Sequence, residues 1–250
     1  MKLKKIFAVS FLVTIVSSFA FAQEESDFTV AEKPKSRGVE IQAYSGSAKE
    51  ITIPVKINGK AVVGIGKAAF EGNKAITSVI IQEGVREIDE NAFLNCTALK
   101  SVTLPRSLSE IEDTSFSGCV ALETVFLQEG IKKIGEYAFS GCKSLANIAF
   151  PASLKEISDG AFSGCTSLDS VIVSKNVKKI GDRAFSGCAA LVSVTLPEAL
   201  RELGDFAFEN CTVLAEINFP HGLKKVGDSV FSGSAKVDNA TKRAFEAIKR

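Results

Sequence analysis

"AFSGCKSLANIAFPASLKEISDGAFSGC", Ala138 to Cys165, begins and ends on the same five letters. The interval between the two copies is 23 residues, and the chain keeps it. Phenylalanine falls at 70, 93, 116, 139, 162, 185, 208 and 231; cysteine falls at 96, 119, 142, 165, 188 and 211. These are all six cysteines. A fixed period in the twenties predicts a solenoid, in which each repeat is one coil that buries its apolar side only against its neighbours.

Working outward from the quoted stretch, other columns complete the coil. Leu99, Val102 and Leu104 recur as Leu145, Ile148 and Phe150 and as Leu214, Ile217 and Phe219. Val102 and Leu104 flank Thr103, which predicts a strand with one face inward. Pro105, Pro151, Pro197 and Pro220 stand at the strand exit, where a residue without an N–H ends ladder pairing. Leu108 with Ile111, or Leu154 with Ile157, then point inward from an extended return.

An acidic residue stands in every coil at Glu90, Asp113, Glu136, Asp159, Asp182, Asp205 and Asp228. Its place just before "xAF" predicts a carboxylate accepting N–H groups at the start of a short helical turn, rather than a metal site. Two residues after each Phe only Gly or Asn occurs, as at Gly118, Gly141 and Asn210, which predicts a left-handed residue closing that turn.

The resulting expectation is an α/β solenoid, a leucine-rich repeat of 23-residue coils with a parallel sheet on one face and short helical turns. At about 4.8 Å per coil, eight coils make a rod of about 40 Å. The ends need lids. "VEIQAY", "ITIP" and the Asn58-Gly59 hairpin signal predict a β cap over 39–66. The solenoid runs over 67–236. Residues 237–250 lose the repeat, and Val237, Ala240, Ala244, Phe245 and Ile248 can share one face of a closing helix. Residues 23–38 are polar and read as a loose tether. "MKLKK" and the apolar run Ile6–Ala22, ending Ala20-Phe21-Ala22, read as a cleaved signal peptide over 1–22. That makes the protein exported, to the periplasm, the outer membrane surface or the medium, with no membrane span after cleavage. The net charge of +1 becomes −2 once Lys2, Lys4 and Lys5 are removed, so the chain as a whole has no pull on nucleic acid.

Six thiols in an exported protein would ordinarily suggest disulfides. Here each Cys sits at the same address on successive coils with its Cβ pointing the same way, which makes the required torsion hard to reach and predicts buried free thiols. The single His221 cannot build a histidine metal site, and a Cys–His pair would need it beside Cys188 or Cys211. No catalytic constellation, cofactor motif or metal-ligand set emerges, so the chain reads as a non-enzyme.

The unit CxxLxxVxLPxxLxxIxDxAFxG, together with the start "YSGS…ITIP…INGK", resembles the BspA-like, or treponemal-type, leucine-rich repeats of exported bacterial proteins. The resemblance covers about residues 39–235. It implies a ligand-binding protein of the cell envelope, in a family linked to adhesion, to host matrix proteins and to contact between bacteria.

Function must then lie on surfaces. The outward residues beside the inward valine column read Ile80, Thr103, Phe126, Ala149, Ile172, Thr195 and Asn218. Phe126, Ala149 and Ile172 make an apolar group on three successive coils, rimmed by Ser, Thr and Asn, as a binding site on a solenoid sheet should be. Its occupant would be a protein partner such as a host matrix protein, a second copy of the chain, or a small apolar ligand carried on that face. A rival surface is the basic column Arg86, Lys132, Lys155, Lys178, Arg201 and Lys224, interrupted by Ser109, which could hold an acidic polymer such as a glycosaminoglycan or simply be a solvated face. Glu87, Glu110, Glu156 and Glu202 of the next column could offset it; Lys133, Lys179 and Lys225 could not.

Overall fold

The computed structural model describes residues 23–218 and 220–249. The expected signal peptide lies outside them. Glu25–Asp27 forms a single 3-10 turn and leads into β1 (Phe28–Lys33), which pairs antiparallel with β2 (Gly38–Tyr44). The loose tether expected over 23–38 is therefore corrected. Thr29, Val30 and Ala31 are strand residues with a partner, and Phe28 is buried in the common core. The polar flanks hide a segment whose backbone is held by a ladder.

Next come β3 (Glu50–Ile53), β4 (Lys56–Ile57) and β5 (Lys60–Ile65). β4 and β5 pair antiparallel about Asn58 and Gly59, both with positive φ. The coils then deliver strands in pairs: β6 (Ser78–Ile81) and β7 (Glu87–Ile88), β8 (Ser101–Thr103) and β9 (Glu110–Ile111), β10 (Thr124–Phe126) and β11 (Lys133–Ile134). The next coil gives only β12 (Glu156–Ile157). Pairs resume with β13 (Ser170–Ile172) and β14 (Lys179–Ile180), β15 (Ser193–Thr195) and β16 (Glu202–Leu203), β17 (Glu216–Ile217) and β18 (Lys225–Val226). The whole is a parallel β-solenoid of about eight turns that ends in one helix.

The return that the sequence marked only as extended is thus a second parallel sheet. β9, β11, β12, β14, β16 and β18 pair in unbroken order. β2, β5 and β7 form a parallel ladder before it, with β1 along the outer edge. The first sheet is in two pieces, β3-β6-β8-β10 and β13-β15-β17.

The segment around each Phe departs from the expected helical turn. Phe116, Phe139 and Phe162 donate their N–H to Ala138, Ala161 and Ala184 of the following coil, each at 2.8 Å, and Gly118 and Gly141 donate forward to Ser140 and Ser163. Only the alternate donors, such as Ala138 to Gly135 and Ser140 to Tyr137, close turns within the coil. A helix would need all of these donors for itself. The segment is instead a run of turns laddered to its neighbour, and two left-handed residues per coil let it bend. One is the expected Gly or Asn column. The other is the variable residue two before Phe, left-handed at Asn91, Thr114, Tyr137, Gly160, Arg183 and Phe206.

The acidic column also bonds between coils. Asp113 Oδ1 accepts the N–H of Glu136 at 2.6 Å, Asp159 that of Asp182 at 2.9 Å, and Asp182 that of Asp205 at 2.7 Å. The approach is tight enough that a Cβ on Gly181 would lie 2.1 Å from Asp159 Oδ1, which is why glycine stands there.

Inside, the Phe rings from Phe70 to Phe231 stack with centroids 4.7 to 6.0 Å apart and planes within 11° of parallel. Tyr44 continues the stack at one end, and Phe245 meets Phe231 edge-on at 5.2 Å at the other. Phe245 lies in α1 (Asn239–Glu246), whose N-cap Asp238 accepts from Ala240 N at 2.8 Å and Thr241 N at 2.9 Å.

All six cysteines are free and buried. Each Sγ donates to the carbonyl of the Phe one coil back: Cys96 to Phe70 at 3.0 Å, Cys119 to Phe93 at 3.2 Å, Cys142 to Phe116 at 3.3 Å. Ser234 takes the same address in the last coil and donates to Phe208 O at 2.7 Å. The column therefore wants a small side chain with one donor. Burial pushes Cys165 and Cys211 up to about 12 and Cys142 and Cys188 well above the usual thiol range, so the thiolate is disfavoured.

Candidate interaction surfaces

The two surfaces singled out from the sequence lie on different sheets. On the first, β6, β8 and β10 place Ile80 opposite Thr103 and Thr103 opposite Phe126; β13 and β15 place Ile172 opposite Thr195. Ile80 is 46% exposed, Phe126 42% and Ile172 71%. Ala149, Thr195 and Asn218 are also exposed, and Thr103 is half-buried.

Ala149 does not continue the ladder. Residues 145–150 form no strand, and among the described residues the N–H groups of Asn147, Ile148, Ala149 and Phe150 donate to no protein acceptor. The apolar group expected on three laddered strands is two laddered edges with an unladdered coil between them. The inward residues feel the gap: Leu104 and Leu196 are buried, whereas Leu127, Ile148 and Phe150 are only partly so. Phe150 keeps an edge-on contact with the Phe162 ring, at 5.6 Å. The sequence carried a signal for this that its periodicity masked. "NIAF" puts Asn147 where other coils mostly have Ser or Thr, Ala149 where they mostly have Ile, Thr or Phe, both poor strand formers, and a bulky Phe150 where they mostly have Leu, Val or Ile. Nearby, at the strand exits, Val55, Ile81, Thr103, Pro105 and Arg106 line an open groove of about 530 Å³.

On the second sheet, outward charges alternate by register: Glu110, Lys133, Glu156, Lys179, Glu202, Lys225. Lys133 pairs with Glu110 at 2.7 Å and Lys179 with Glu156 at 3.1 Å. Those carboxylates hold both lysines above their usual range. Of the glutamates expected to offset the basic column, Glu110 and Glu156 are thus engaged within their own column and Glu87 pairs with Lys33 of β1. Lys132, Lys155, Lys178 and Lys224 are exposed and enter no ion pair among the described residues. Arg201 is half-buried, with Nη1 donating to the carbonyls of Glu198 at 2.9 Å and Leu200 at 3.0 Å.

Other chemistry is sparse. His221 is exposed beside Glu198, 3.6 Å away, while the cysteines are buried, so no Cys–His pair forms. Among the described residues one acidic group, Glu40, Glu87 and Asp89, has the spacing of a cation site, but Lys33 forms ion pairs with Glu40 and Glu87 in it. No helix among the described residues is long and apolar enough to cross a membrane.

The model of the BspA type leucine-rich repeat region, in six copies, matches residues 14–146, 63–190 and 133–248. The chain belongs to that family. Among solved structures it is similar to a leucine-rich repeat protein of T. pallidum, at 29% identity and a TM-score of 0.68 over 91% of this chain and 96% of that one. It shares its fold with a leucine-rich cell surface protein of Faecalibacterium prausnitzii, at 24% identity and a TM-score of 0.52 over 89% and 82% of the two chains. No protein of curated function matches it. Repeats of this family are in general protein-interaction modules and typically non-enzymatic scaffolds, and the proteins that carry them are generally at the bacterial surface or secreted.

Proposed function

We propose that this BspA-type repeat protein is a non-enzymatic binding module of the cell envelope that holds a protein partner on the outer face of its first sheet. Phe126 and Ile172 are the anchors, with Ala149 the dip between them and Ile80, Thr103 and Thr195 the flanks. The observation that carries the reading is the unladdered coil: backbone N–H groups that lack protein acceptors lie between two strands that each expose a large apolar side chain, Phe126 and Ile172. A protein surface offers both apolar contact and carbonyl acceptors, as interfaces require. A small apolar ligand would satisfy only the first need. Export, supported by the basic and apolar N-terminal run, would put this face where an extracellular or envelope protein meets it.

The test is binding to immobilised extracellular matrix proteins, together with sedimentation of the protein alone. Phe126→Ser should weaken such a complex, or a dimer, by at least about 2 kcal/mol while leaving the melting temperature unchanged. A parent that stays monomeric and binds no matrix protein would remove the adhesin reading. Full binding by Phe126→Ser would remove the face.

A further inference from the structure

We propose that the basic column of the second sheet is a separate seat for a linear polyanionic polysaccharide, independent of the first-sheet face. Its backbone is a continuous track. Lys155 N donates to Lys132 O at 2.8 Å, Lys178 N to Lys155 O at 2.8 Å, Arg201 N to Lys178 O at 2.9 Å and Lys224 N to Arg201 O at 2.8 Å. Five cationic residues thus follow one another at strand spacing, over about 19 Å.

The charge of this track is not cancelled locally. Glu110 and Glu156 are drawn to Lys133 and Lys179, and Glu202 stands in register between Lys179 and Lys225. In the acidic column, Asp159, Asp182 and Asp205 each turn Oδ1 to a backbone N–H of the next coil, and among the described residues none of them forms an ion pair with the track. The chain nonetheless carries a net charge of only +1, so the track is a local line of positive potential, not a reflection of a basic protein. Like charges held at strand spacing repel, and a polymer with repeated acidic groups relieves that repulsion by releasing its own counterions.

The shape of the track selects the polymer. It follows the parallel strands and offers one cation per coil at strand spacing, which suits an extended chain bearing an acidic group on successive sugars. Four of the five residues of the column are lysines and none is aromatic, and the one planar cation, Arg201, is half-buried with Nη1 donating to the carbonyls of Glu198 and Leu200, so the track lacks the row of aromatic rings on which the bases of a single-stranded nucleic acid stack.

Anisotropy of fluorescein-labelled heparin, titrated with the full protein between about 50 and 200 mM salt, tests this. Replacing Lys132, Lys155 and Lys178 together by Ser should weaken binding at least about tenfold at low salt and reduce the salt slope by about 2 to 3. Replacing the exposed Lys49, Lys74 and Lys100 by Ser should change affinity less than about twofold. A second measurement uses only the parent: bound heparin should shield Lys132, Lys155, Lys178 and Lys224 from acetylation ahead of Lys49, Lys74 and Lys100. The proposal is overturned if the parent binds no heparin at low salt. It is equally overturned if the two triple variants lose affinity alike, if the shielded lysines are the second set, or if an oligothymidylate binds more tightly than heparin.

Discussion

The two sheets of the solenoid share one core and one 23-residue period, yet only one of them is continuous over the coils from β9 to β18. In the second sheet each coil contributes two strand residues, an inward Ile, Leu or Val and an outward Glu or Lys of alternating sign. Opposite charges directly across parallel strands are favourable, and the register repeats them with every coil. In the first sheet the outward column changes character from coil to coil, from Thr to Phe to Ala to Ile. The ladder fails at the coil whose side chains least suit a strand. A sheet that only has to hold coils together can keep one rule. The sheet whose outer face varies is the one that carries the partner's contacts in the proposal above.

Both sheets hang on the phenylalanine stack, so the largest effect should come from breaking it. Phe139→Ala empties a fully buried site between two parallel rings and should cost about 3–5 kcal/mol in urea unfolding. Phe231→Ala, at 9% exposure beside α1, should cost clearly less. Equal small losses at both would mean that the stack is not the common support of the two sheets.

The thiol column is a second shared support, and pH can loosen it. Cys165 and Cys211 have their thiols raised from 9.0 to about 12 by burial, so the folded protein keeps these protons after the unfolded chain has released them. Their contribution is fully present below about pH 9 and is lost as pH rises from there toward 12. Stability should therefore fall through that window, by up to about 1.4 kcal/mol per thiol per pH unit. The double variant Cys165→Ser with Cys211→Ser should flatten the slope. An unchanged slope would place the thiols outside the protected core.

A smaller effect sharpens the contrast between the sheets themselves. Glu156→Lys sets three lysines in register at 133, 156 and 179 and should destabilise by about 1 kcal/mol or less, more at low salt than at high. Ala149→Lys, on the unladdered coil of the first sheet, should leave stability nearly unchanged. If the two substitutions cost the same in urea unfolding, the charge ladder has no part in the second sheet's continuity.

Much of this was written in the sequence because a repeat multiplies each signal. The Phe, Cys and Leu columns announced the coil, its inward face and the free thiols. The second sheet was harder to read, since two residues per coil are too few for alternation to be visible. The forward hydrogen bonds of the "AFSG" segment were also hidden. The left-handed position at Thr114, Tyr137, Arg183 and Phe206 carries residue types that give no hint of positive φ, and the ladder between coils imposes it. Strand β1 was obscured by its polar flanks. The outward column of the first sheet was legible as a list of residues, but the gap at 147–150 arises from poor strand formers flanked by good ones, a tertiary outcome that no single coil displays.

Amide hydrogen exchange of the free protein, resolved by residue, reads the difference between the two sheets directly. The N–H groups of Asn147, Ile148 and Ala149 should exchange orders of magnitude faster than those of Lys155, Ser158 and Gly181, which donate to Lys132, Ile134 and Ile157 on the second sheet. Protection that is uniform across both sheets would mean that the first sheet is as closed as the second, and the account of an open, partner-binding face would fall.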